Sequence, residues 1–245
     1  MLSRARTALV ALAATLAAVL SVTIGLPSTA HAATSGTPKV GQCHQLTSGQ
    51  LAAVADPTKP VRCGARHNLV TIAVKTSPTS LAGLSDAEHT ELGVRLCNPA
   101  FNKALGRTAT KRAMTAYGLF FFAPTPQQIA AGARWIRCDV GLEAGRRLVP
   151  LPKKLARPVV PQRLTDGVRR CLTGAGLTTT CSRAHAFRSI SAFLAPTSTA
   201  YPTDDQFLRL ASRRCPSSWR YATWPGPISW SAGDRAVVCY DKTRK

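Results

Sequence analysis

The chain has 245 residues, with 32 Lys and Arg against 11 Asp and Glu, a formal charge of +21. That length suits two domains of about 100 residues better than one. A surplus of this size attracts anionic headgroups, wall polymers or nucleic acid. The eleven carboxylates include no spaced pair common to both halves, which argues against paired-acid catalysis.

Arg4 and Arg6 precede an uncharged apolar run from Ala8 to Leu26, and Ala30-His31-Ala32 follows. A basic start, an apolar middle and an Ala-x-Ala exit predict a secretory signal peptide over 1–32, cut after Ala32. The alternative is a retained anchor. The remainder, 33–245, keeps a formal charge of +19 and has no second apolar span. Export disfavours nucleic acid as a partner. Residues 33–40 are small and polar and read as a disordered lead-in.

A first unit is expected over 41–145. Thr47 to Ala55 suits a short helical turn, stopped by Pro57 and Pro60. The run from Asn68 to Lys75 is β-branched and apolar and reads as a buried strand. Ser85-Asp86-Ala87-Glu88 is a capping box and predicts a helix ending near Cys97 and Pro99. Beyond it come four cations, Lys103, Arg107, Lys111 and Arg112. Tyr117 to Phe122 and Trp135 to Val140 read as strands. Residues 146–163 hold four prolines with Lys153, Lys154 and Arg157, and predict an extended, solvated basic linker.

A second unit, 164–245, echoes the first. Cys63, His67, Ser85, Asp86 and Cys97 recur 118 residues later as Cys181, His185, Thr203, Asp204 and Cys215. Pro124, Pro126, Gly132, Arg134 and Cys138 recur 101 residues later as Pro225, Pro227, Gly233, Arg235 and Cys239. One loss of 17 residues between Cys215 and Pro225 reconciles the two offsets. The expected fold class is therefore α+β: two tandem homologous small domains, each a small sheet with one helix and two disulfides.

Each half has four cysteines: Cys43, Cys63, Cys97 and Cys138, then Cys171, Cys181, Cys215 and Cys239. An even count in an exported chain predicts disulfides closed within each half. Three pairings per half are open. First with second and third with fourth is favoured, because Cys97 ends a helix and Cys138 lies in a strand that can pack on it. The Cys-x3-His pairs, Cys63/His67 and Cys181/His185, admit three readings. A zinc site would draw on Cys97 and Cys138, a Cys–His nucleophile would need a free thiol, and a structural histidine would bond backbone or a carboxylate such as Asp234. The structural reading is preferred, with neither metal nor cofactor expected. His44 and His89 have no echo and read as surface histidines. Gly132-Ala133-Arg134 and Gly233-Asp234-Arg235 read as turns before the last strand, the arginine bracing a carboxylate or carbonyl. No phosphate loop or Gly-x-Ser-x-Gly elbow occurs.

Trp230-Ser231-Ala232-Gly233-Asp234-Arg235 with Cys239, the two Cys-x3-His pairs and Gly41-Gln42-Cys43 together resemble the septum formation family of actinobacterial exported proteins. That family runs Gly-Asp-Cys, Cys-x-x-Pro-His, a helix ending in Cys, and Trp-x-x-Gly-Asp-Arg-x-x-x-Cys. Here Arg66 and Ala184 stand where Pro is usual, and Ile129 and Ala133 replace Trp and Asp in the first half. The resemblance implies a link to division septa and the cell envelope, and no defined activity. The leading expectation is a non-enzymatic envelope protein. Its basic residues Lys103, Arg107, Lys111, Arg112, Lys153, Lys154 and Arg157 would meet an anionic wall polymer, lipid headgroups or an exported protein. The alternatives are a secreted metal- or thiol-dependent enzyme using the Cys-x3-His pairs, and a dimerisation module.

Overall fold

The computed structural model describes residues 36–243 apart from 107 and 199. The expected signal segment lies outside the described residues. Helices and strands are numbered in chain order. The first sheet is antiparallel and contains β1 (Cys43–His44), β2 (Leu69–Thr76), β3 (Tyr117–Phe122), β4 (Trp135–Ala144) and β5 (Arg147–Val149). Its order is β1-β2-β4-β3, with β5 also on β4. The second sheet contains β6 (Arg170–Leu172), β7 (Thr178–Thr180), β8 (Phe187–Leu194), β9 (Tyr221–Thr223) and β10 (Ala236–Lys242), in the order β7-β6-β8-β10-β9.

One longer helix packs on each sheet: α2 (Asp86–Leu105) on the first and α5 (Asp204–Arg214) on the second. Both start in capping boxes. Glu88 N–H donates to Ser85 Oγ at 3.3 Å while Ser85 N–H donates to Glu88 Oε2 at 2.7 Å. Thr203 and Gln206 make the same pair of bonds at 2.8 and 3.3 Å. Four disulfides, Cys43–Cys63, Cys97–Cys138, Cys171–Cys181 and Cys215–Cys239, run first to second and third to fourth in each half. The second of each set ties the helix to the central strand of its sheet. Short helices α1 (Ser48–Leu51), α4 (Pro126–Ala130) and α6 (Pro227–Ser231) complete the pattern.

The pairing registers of the two sheets coincide. Thr71 opposes Asp139 and Ala73 opposes Cys138, skipping Ile72 as a bulge. Ser189 opposes Tyr240 and Ser191 opposes Cys239, skipping Ile190. The partners are 118 residues apart on β2 and β8, and 101 apart on β4 and β10. Phe121 opposes Cys138 as Ala222 opposes Cys239. A bulge bends and twists a strand locally, so the two sheets bend at the same point.

Three expectations need correction. First, α2 does not stop at Pro99 but continues to Leu105 with the proline inside it. Proline in a helix interior costs about 3 kcal/mol. Here Phe101, Ala104 and Leu105 beyond it pack on Val140, Leu142, Val159 and Val160, and that burial offsets the lost hydrogen bond. In the second half the helix does end at the matching cysteine, Cys215, before Pro216. Second, residues 146–163 are not a solvated spacer. β5 forms a hairpin with the end of β4, and Leu151, Val159 and Val160 are buried. Val159 N–H donates to Ala104 O at 2.9 Å and Leu151 N–H to His67 O at 2.9 Å. The apolar residues between the charges bind the segment to the sheet.

Third, the halves do not stand apart as bodies: their described residues fall in one compact unit. The 17 residues without a second-half counterpart explain why. They supply the last turns of α2 and a further helix, α3 (Ala109–Ala113). Ala113 and Met114 cover Leu172, Val238 and Tyr240 on the face of the second sheet opposite α5. Backbone bonds join the halves there, Arg170 N–H to Met114 O at 2.8 Å and Ala116 N–H to Val168 O at 2.9 Å. Among the described residues no helix is long and apolar enough to cross a membrane.

Candidate functional site

The two segments that carry the expected basic residues meet. Hydrogen bonding of Val159 and Val160 to Ala104 and Leu105 lays the 151–162 segment against the end of α2. Lys111 donates through Nζ to the Gln162 carbonyl. Lys103 stands at the end of α2 and Lys111 on α3, and Lys153, Lys154 and Arg157 belong to the segment docked on the end of α2. Lys103, Lys153, Lys154 and Arg157 are exposed. No Asp or Glu occurs in 92–138 or 144–165, so neither segment brings a carboxylate to this face. Arg112 departs from the group. Its Nη1 donates to Gly106 O at 2.5 Å and its half-buried guanidinium turns toward the second sheet, where Asp234 lies within electrostatic reach. Arg107 lies outside the described residues.

The histidine motifs are structural in geometry. His67 Nδ1 meets Ala65 O at 2.9 Å and His185 Nδ1 meets Arg183 O at 2.6 Å, the same two-residue reach in both halves. Both rings are buried. The expected partner of His185, Asp234, is elsewhere, since its Oδ1 accepts from Ala236 N–H at 3.0 Å at the start of β10. Cys63 and Cys181 are in disulfides, and no cysteine is free. Neither therefore offers a free thiolate as nucleophile or ligand here.

Gly132 and Gly233 take φ of +87° and +90°, a region that costs glycine little. Each lets the chain leave a short helix and enter the central strand. Arg235 lies over the buried Trp230 ring, with 3.8 Å to its centroid, and donates to the carbonyls of Trp230, Asp234 and Ser198. The first half has Ile129 at the position of Trp230, so Arg134 has no such ring to stack on. It contributes its carbonyl to Ser77 N–H at 2.7 Å, as Arg235 does to Ala195 N–H at 2.8 Å.

The least expected feature is a buried ionic cluster in the first half. Arg137 Nη2 donates to Asp56 Oδ2 at 2.8 Å and its Nε to Asp139 Oδ2 at 2.9 Å. The guanidinium sits 4.4 Å from the Phe122 ring centroid, and His44 Nδ1 is 3.3 Å from Nη1. His44 is 1 % exposed, which corrects its reading as a surface residue. A signal was present: Arg137 and Asp139 are two apart in an apolar strand, so both point to one face. In the second half these strand positions hold Val238 and Tyr240, and β6 places Leu172 where β1 places His44. The three form an apolar cluster.

Burial, with the Arg137 charge, lowers the His44 pKa to about 4, while burial raises Asp139 to about 6 against the pull of Arg137. The two act oppositely on stability. A depressed His44 contributes stability above its ordinary 6.5 that is lost as pH falls toward 4. A raised Asp139 contributes stability below its ordinary 3.8 that is lost as pH rises through about 6. The Asp139→Asn variant, relative to the unsubstituted protein, is expected to lose on the order of 2 kcal/mol more as pH drops from about 6.5 to 4. The His44→Gln variant should show the reverse slope. Urea unfolding across that range measures both, and parallel profiles for the three proteins would contradict the assignment.

Comparison with curated proteins and with solved structures finds no match. The family described as septum formation is matched over residues 40–239, which spans both sheets and all four disulfides, and the chain belongs to that family.

Proposed function

We propose that this is an exported, envelope-associated protein without enzymatic activity, built from two copies of one disulfide-linked unit, that binds an anionic envelope surface through its basic face. The family membership and the four disulfides support an extracytoplasmic setting. The repeated register and bulge support the duplication. One observation carries the binding reading: two cationic segments some fifty residues apart in sequence meet at Lys111 and Gln162, and neither contributes a carboxylate to the face they form. Anionic headgroups or polymer phosphates are the matching chemistry, each cation near a charged surface contributing about 1 kcal/mol.

Co-sedimentation of the purified full chain with vesicles tests this. Phosphatidylglycerol-containing vesicles are expected to bind it and pure phosphatidylcholine vesicles not to. Binding should weaken steeply with salt, because the screening length falls from about 10 Å at 0.1 M to about 3 Å at 1 M. Replacing Lys153 and Lys154 together by Gln should reduce affinity by roughly 2 kcal/mol. Salt-insensitive association, or equal binding to both vesicle types, would sink the reading.

A further inference from the structure

A second site lies between the sheets. A cleft of about 320 Å³ is bounded by the end of α2, by α3, by the outer face of the second sheet and by the 233–235 turn. It exists because residues 98–116 reach across to the second half, so its first-half wall is built largely from the segment that the second half lacks. Arg112, Arg170 and Arg235 line it, against the single lining carboxylate of Asp234.

The state of each charge matters. Arg235 is committed to carbonyls and to Trp230. Arg112 uses Nη1 on Gly106 O. Arg170 uses Nε on Thr115 O at 3.0 Å and a contact with the Tyr240 hydroxyl. Among the described residues the remaining guanidinium nitrogens of Arg112 and Arg170 make no further hydrogen bond to protein. Asp234 spends one oxygen on Ala236 N–H and forms no close ion pair with Arg112 among the described residues. Glu143 lies within electrostatic reach of Arg170 and is not part of the lining. The cleft therefore keeps a positive balance with unspent fork-shaped donors, which suit a carboxylate or phosphate. The rest of the lining is largely apolar, with Thr178, Thr223 and Asn102 supplying hydroxyls and an amide near the arginines, while the rings of Tyr117 and Trp224 pack into the cores on either side. Short polar groups beside a fork-shaped cation suit a small ligand that carries hydroxyls as well as an acid group.

We propose that this cleft binds a small anionic sugar, its acid group on Arg112 and Arg170 and its hydroxyls on Thr178, Thr223 and Asn102. The site is separate from the basic face and does not depend on it. Two sources share the chemistry, a uronic acid and a sugar phosphate, and each has its own arm in the test.

The full chain is titrated by calorimetry with glucuronate, glucose 1-phosphate, glucose and inorganic phosphate. At least one of the two acidic sugars is expected to bind about tenfold or more tightly than both glucose and inorganic phosphate. Which one binds identifies the source. Arg112→Gln and Arg170→Gln should each weaken that binding about tenfold, whereas the Lys153/Lys154 double Gln variant should leave it unchanged while losing vesicle binding. Failure of both acidic sugars to bind overturns the proposal. So does equal binding of inorganic phosphate, or a loss in the lysine variant with none in the arginine variants. If an arginine variant does not fold, side-chain NMR signals of Arg112 and Arg170 in the unsubstituted protein decide. Their movement on titration supports the site, and no movement overturns it.

Discussion

Replacing Arg137 by Val, the residue found at the matching position of the second sheet, is expected to destabilise the protein by about 3–5 kcal/mol. Arg137 is 2 % exposed and holds Asp56 and Asp139, whose side chains are fully buried. Its removal leaves two carboxylates in the interior with no cation. Asp56 keeps only the bonds from Thr58, at 2.9 Å from the amide and 2.6 Å from the hydroxyl. Asp139 must protonate, or the strand must open. Adding Asp56→Asn and Asp139→Asn to Arg137→Val removes both charges and should recover at least half of the loss. The second sheet has uncharged Val238 and Tyr240 at the positions of Arg137 and Asp139, so the fold itself does not need the charges. Urea denaturation of the three proteins measures this. A single-variant cost under about 1 kcal/mol would place the cluster among ion pairs that contribute little, and no recovery in the triple variant would mean that the arginine matters for shape rather than charge.

Gly93→Ala is expected to cost about 3 kcal/mol, although alanine is normally the better helix residue. A Cβ at Gly93 would stand 2.2 Å from the Phe121 ring. Gly93 is buried in α2, and its neighbours Leu92 and Cys97 pack with Phe121 on one core. At the matching positions the second half has Ala211 on α5 and Ala222 on β9, both buried in one cluster. The helix–sheet contact is thus filled by glycine and a ring in one half and by two methyl groups in the other. Phe121→Ala alone should also destabilise, by about 3 kcal/mol through the cavity it leaves. The double variant Gly93→Ala/Phe121→Ala should be more stable than the sum of the two losses predicts, because it recreates the second-half pair. Thermal or urea unfolding gives the coupling; strict additivity would show that the two positions do not share a contact.

These two exchanges, charge for apolar and glycine-ring for paired alanines, show how one register carries two different cores. They also locate what is special to the first half. The ionic cluster and the α2–α3 extension are both found there, and the extension joins the halves and forms the cleft with Arg112 and Arg170. The second half carries the full Trp230-to-Arg235 motif, where the arginine stacks on the tryptophan and binds three carbonyls. That geometry braces the turn before β10.

The offsets of 118 and 101 residues and the capping boxes at Ser85 and Thr203 determined from sequence alone where the central strands and their helices would start, while the cysteine spacing favoured one pairing among three that the structure then decided. These features are legible because caps, strand runs and cysteine pairs act locally or repeat at fixed spacing. Tertiary structure alone decided that α2 continues through Pro99, that Leu151, Val159 and Val160 draw the proline-rich segment onto the sheet, and that His44 is buried beside Arg137. Each of these depends on partners tens of residues away, whose burial outweighs a helix breaker, a linker composition or a histidine's usual preference for water. Local sequence records the preference; only the assembled core records what overrides it.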